Sequence, residues 1–91
     1  MKDLPEEYKD TPDIGFGVHV HPRFYDGVLH GFAYVHPRPD SGEWCEGWVP
    51  LRAGDESWDL ISYDPLELSP SLLCRSCGHH GWIRNGNWVP A

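Results

Sequence analysis

Residues 74–89 read CRSCGHHGWIRNGNWV, and two devices follow one another there. In the second, residues 81–89, Asn85-Gly86 sits between two apolar-aromatic runs. Asn-Gly supplies the positive φ angles that a two-residue type I′ hairpin turn requires. That register pairs Arg84 with Asn87, Ile83 with Trp88 and Trp82 with Val89. Ile83 and Trp88 then share one face, and Trp82 and Val89 share the other. Each is an aromatic–aliphatic cross-strand pair, a favourable combination.

The first device is Cys74-x-x-Cys77, a spacing that lets two thiolates reach one ion from a tight turn. Gly78 follows, where such a knuckle needs backbone freedom. His79 and His80 then offer an imidazole two or three residues beyond the second cysteine. Sulfur and imidazole at this density suit tetrahedral Zn2+. A thiol redox site is the weaker reading, because no βαβ pattern surrounds the pair. A closed structural site needs four protein ligands. Cys45 is the only other cysteine and is the expected fourth ligand. His36, His30, His21 and His19 are its alternatives.

Working outward, 91 residues make one domain with a small core. Nine prolines and ten glycines interrupt the chain too often for long helices. The fold class expected is small and mainly β, built of antiparallel hairpins with little helix and stapled by zinc. Residues 1–13 read as an extended N-terminal arm, and 14–91 as a single zinc-binding β domain. Val18 and Val20 alternate with His19 and His21, as in a half-buried strand. Residues 22–27 read as a turn and 28–37 as a second strand, with His30, Phe32, Tyr34 and His36 on one face. A loop over 38–43 precedes a third strand ended by Pro50. A turn over 52–57 precedes a fourth strand in 58–63. Ser69 before Pro70 reads as the N-cap of a helix of one or two turns.

The formal net charge is −7. Residues 40–67 carry eight carboxylates against Arg52 alone, whereas 68–91 carry Arg75 and Arg84 and none. No basic stripe exists for phosphate, which argues against nucleic acid as a partner. A solvated face is the plain reading of the acidic stretch. The sharper reading makes Glu43, Glu46, Asp55, Glu56 and Asp59 a docking surface for a basic protein partner. The opening residues hold no apolar stretch that reads as a signal peptide, and no run approaches a membrane span. With three cysteines, the expected location is a reducing cytoplasm.

Catalytic signatures are missing. There is no H-E-x-x-H, no deaminase-type zinc motif and no nucleophile elbow. An open catalytic zinc would have to use the upstream histidines, with Asp26, Glu43 or Glu46 as a base. The plain reading of those histidines is polar residues on the outer face of a hairpin. The five tryptophans read as core.

Residues 57–91 resemble a family of small uncharacterised actinobacteriophage proteins. The resemblance is carried by Trp58-x-Leu60, Leu68-Ser69-Pro70-Ser71-Leu72, Cys74-x-x-Cys77-Gly78, His80-Gly81 and Ile83-Arg84-x-Gly86-x-Trp88-Val89. More loosely, the chain is similar to a bacterial zinc-domain family of unknown function, through Pro70-Ser71, Cys77, His80, Trp82-Ile83-Arg84 and Gly86. The resemblance implies His80, rather than His79, as the ligand imidazole. That bacterial family tends to carry several upstream cysteines where this chain has Cys45 alone. The expected function is a non-catalytic phage protein, stabilised by zinc, that binds or modulates a protein in the host cytoplasm. The alternatives are a virion or assembly component, and a zinc-dependent hydrolase or nuclease.

Overall fold

A computed structural model describes residues 3–51 and 57–91. Most of the turn expected over 52–57 therefore lies outside the described residues, as do Asp55 and Glu56. Eight strands are described: β1 (His19–Tyr25), β2 (Val28–Pro37), β3 (Trp44–Pro50), β4 (Asp59–Tyr63), β5 (Leu66–Ser69), β6 (Leu72–Leu73), β7 (His80–Arg84) and β8 (Asn87–Pro90). They form three antiparallel sheets, ordered β1-β2-β3, β4-β5 and β6-β7-β8. The fold is mainly antiparallel β, in one domain with a radius of gyration of 12.6 Å. No helix among the described residues is long and apolar enough to cross a membrane.

All three sheets feed one core. Phe32, Tyr34 and Val49 come from the first, Leu68 from the second, and Leu72, Ile83 and Trp88 from the third. Strand alternation explains the selection. Along β3, Cys45, Gly47 and Val49 face this core, opposite His36, Tyr34 and Phe32 of β2. The last hairpin has the register Arg84↔Asn87, Ile83↔Trp88 and Trp82↔Val89, turned at Asn85 (φ 50°) and Gly86 (φ 77°). Ile83 and Trp88 are buried, while Trp82 and Val89 lie half-buried on the opposite face.

Three local expectations change. The strand β1 runs on to Tyr25, through most of the expected turn, and the reversal is confined to Asp26-Gly27. Asp-Gly supplies the same two positive φ angles as Asn-Gly, and the strands register directly across it. The one- or two-turn helix expected after Ser69 does not form. Residues there instead pair as β5 with β4 and as β6 with β7, and Leu68 and Leu72 both reach the core. Strand partners satisfy the backbone where a helix so short would leave most of its N–H groups unpaired.

The segment expected as an extended arm carries a 3-10 turn over Glu6–Tyr8. Tyr8 is only 1% exposed and packs with Ala33 and Val35, flanked by Leu4 and Trp44. This covers the second face of the first sheet. β2 is its central strand and is therefore buried on both faces from Gly31 to His36.

Candidate metal centre

Four side chains from two distant parts of the chain converge beside the core. His36, Cys45, Cys74 and Cys77 each offer a ligand atom, and these atoms lie within 4.8 Å of one another. The hairpin of β2 and β3 supplies the first two. Pro37 pairs with Trp44 at its loop end, so the next pair inward is His36↔Cys45, both on the core face. The turn after β6 supplies the other two. It is closed by Gly78 N–H donating to Cys74 O (2.8 Å) and Cys74 N–H donating to His79 O (2.8 Å). Gly78 has φ 79°, the left-handed conformation that favours glycine in such a knuckle.

The spacings fit a four-coordinate ion. Cys45 Sγ and Cys74 Sγ are 3.6 Å apart, and His36 Nε2 lies 3.3 Å from Cys77 Sγ. Zinc–ligand bond lengths in a tetrahedron place sulfurs about 3.8 Å apart and a sulfur about 3.5 Å from a nitrogen. His36, Cys45 and Cys74 are buried, at 0%, 8% and 6% exposure.

Electrostatics also calls for a cation. Burial, reinforced by the neighbouring Cys74 and Cys77, pushes the Cys45 thiol up to about 11. Burial also opposes ionisation of Cys74, but the backbone N–H groups of Cys77 and Ser76 and the adjacent thiols outweigh it, and its net shift is downward. Three sulfurs this close cannot all be thiolates unless a positive ion offsets their mutual repulsion. Burial, helped by His79 and Arg38, holds His36 down at about 4. Its imidazole is therefore neutral near pH 7, the form that binds metal. The buried His/Cys3 cluster is thus compatible with a metal site in both geometry and donor chemistry.

His36 Nδ1 is buried without a hydrogen-bond partner. A metal-bound imidazole is usually oriented by a hydrogen bond at its other nitrogen. Ring stacking takes that role here. Tyr34 stacks on it with centroids 5.2 Å apart, and His79 stacks on it more closely (4.1 Å, interplanar angle 15°). Trp88 stacks in turn on His79 at 4.8 Å.

The remaining residues singled out in the sequence lie elsewhere. His80, taken there as the ligand imidazole, is outside the cluster. It opens β7 on the outer face, opposite exposed Leu73, and its Nε2 is 3.0 Å from Ser71 Oγ. His79 touches the site through His36 without joining the ligand set. His19 and His21 fall on the opposite face of the sheet from His36. His19 Nδ1 meets Thr11 O at 3.1 Å, and His21 meets Tyr8 edge to face. His30 packs against Tyr25 near the hairpin tip. Alternation thus divides the upstream histidines between two faces, and the imidazole cluster that a catalytic zinc would use is not assembled from them. Glu43, Glu46 and Asp59 are exposed.

His36 was one alternative among several in the sequence. The loop over 38–43 was the signal that could have ranked it, because closing a hairpin with Pro37 opposite Trp44 sets His36 against Cys45. No protein-family model, curated protein or solved structure matches the chain.

Proposed function

We propose that this chain is a non-catalytic, zinc-stapled β module that binds another protein, a phage product engaging a protein of its host. The observation that carries the reading is the ligand set itself. Two buried thiols, a half-buried third and a neutral imidazole at tetrahedral spacing favour zinc over harder cations, and four protein ligands leave no position for a reacting water. In this reading zinc supplies cross-linking energy rather than chemistry. His36 and Cys45 anchor the first sheet to it, and Cys74 and Cys77 anchor the turn that leads into the last hairpin. Both the small core and the absence of a catalytic motif support that role.

Binding is the function left to the surface. Tyr25 and Trp48 are about half exposed on the first sheet. Phage origin and a host partner rest on the resemblance carried by residues 57–91. The test is affinity purification of the zinc-loaded, tagged protein from host cells, with quantitative mass spectrometry of what is retained. Recovery of one protein in stoichiometric yield is the expected result. A virion component would instead be found in purified particles, and a hydrolase would require an open coordination position on the metal.

A further inference from the structure

A cleft of about 430 Å³ opens on the second face of the first sheet, away from the metal cluster. Glu7, Tyr8, Arg23, Tyr25, Glu46 and Trp48 line it. Glu46 and Trp48 lie two residues apart on β3, so both side chains point to this face, opposite Val35 and Ala33. A Cβ on Gly31 would come within 2.7 Å of Trp48 Cη2, so the indole lies across the bare glycine. It remains 47% exposed there, and Tyr25 is 57% exposed. Both rings therefore offer open aromatic surface to the cleft.

The charge in the cleft is one-sided. Arg23 is already paired with Glu7. Among the described residues Glu46 has no hydrogen bond or ion pair. Burial raises the Tyr8 hydroxyl pKa, Glu7 and then Glu46 raise it further, and Arg23 opposes them with the smallest effect. The two carboxylates therefore outweigh the guanidinium. A half-open indole beside a carboxylate with no partner among the described residues fits a cation, which gains from both the ring face and the charge.

We propose that this cleft receives an arginine or lysine side chain of the partner protein, held between Trp48 and Glu46. The proposal deepens the reading of the chain as a protein-binding module and rests on it. Specificity would then lie in a basic residue of the partner matched to an acidic, aromatic receptor.

The test is an NMR titration of zinc-loaded, 15N-labelled protein with the peptide acetyl-Gly-Arg-Gly-amide. Acetyl-Gly-Glu-Gly-amide serves as the control. The arginine peptide should move the Trp48 indole and the Ala33, Glu46 and Gly47 amides saturably, with a Kd on the order of 1 mM. Glu46→Gln and Trp48→Ala should each weaken it about threefold to fivefold while leaving the spectrum elsewhere unchanged. No movement at these signals, or an equal response to the glutamate peptide, overturns the proposal. A host partner whose binding survives Glu46→Lys and Trp48→Ala also overturns it, but leaves the module reading standing.

Discussion

His36 and Cys77 lie 41 residues apart in the chain, yet His36 Nε2 sits 3.3 Å from Cys77 Sγ. An ion held by both would close that long loop and join the first sheet to the turn before the last hairpin. Binding energy at such a site is folding energy, because the unfolded chain has no preformed site. Removing zinc with a strong chelator should therefore lower the thermal midpoint by more than about 10 °C. Circular dichroism melts with and without chelator check this, and an unchanged midpoint would count against a structural ion.

The stack of His36 on His79 predicts an effect from a residue that does not touch the ion. Residues that orient a ligand typically contribute about tenfold or more in metal affinity. His79→Ala should weaken zinc binding about tenfold, and His79→Phe, which keeps a ring against His36, should recover most of it. Competition against a chromophoric chelator measures both variants. Equal affinity for His79→Ala and the parent protein would show that the stack plays no part.

Acid should destabilise the protein in a defined window. His36 titrates at about 4 in the folded chain, against 6.5 for the free side chain, because burial disfavours its charged form. Above pH 6.5 the imidazole is neutral in both states, and the folded state carries no penalty. As pH falls from there, the unfolded chain takes a proton that the folded one refuses until about pH 4. The stability lost across that window is about 3 kcal/mol. Protonation of the thiolates adds to the loss with the same sign, since metal ligands must be deprotonated. Zinc release followed from neutral to mildly acidic pH should thus rise through this window, and release independent of pH there would contradict it.

Close packing at the last hairpin gives a prediction separate from the metal. A Cβ added at Gly81 would meet Trp88 Cζ2 at 2.5 Å and the Val89 carbonyl oxygen at 2.6 Å. The oxygen belongs to backbone and cannot swing aside. Gly81→Ala should cost about 1–3 kcal/mol, read from urea denaturation midpoints.

The amino-terminal segment is also held by packing. Tyr8 is fully buried against Ala33 and Val35, so Tyr8→Ala should destabilise by about 3 kcal/mol. A loss below about 0.5 kcal/mol in the same denaturation assay would mean that the segment docks without contributing to the fold.

Local chemistry made much of this fold readable. Asn85-Gly86 specified both a turn and a register, and the alternating faces around Val49 and Ile83 follow from strand geometry. The β strand 28–37 and the loop after it could be read directly. What escaped was information carried by distant neighbours. Ser69-Pro70 has the chemistry of a helix start, but pairing with β4 and β7 prevails over a helix of one or two turns. Tyr8 in a polar, proline-broken stretch gives no periodic signal, because its partners Ala33 and Val35 are more than twenty residues away. In the site, the C-x-x-C spacing is local and Cys45 has no competing cysteine. The choice of imidazole was not local. His79 and His80 adjoin the knuckle, yet His36 reaches the cluster through the β2–β3 register, and β7 turns His80 outward. Proximity in sequence is a poor guide where a ligand arrives across a sheet.

That difference supplies the sharpest test. Zinc per chain, measured by elemental analysis of the purified parent protein, His36→Ala and His80→Ala, bears directly on the ligand set. The account predicts one zinc in the parent, one in His80→Ala, and a large loss in His36→Ala. A full zinc complement in His36→Ala with loss in His80→Ala would contradict it, as would a folded parent protein purified without metal.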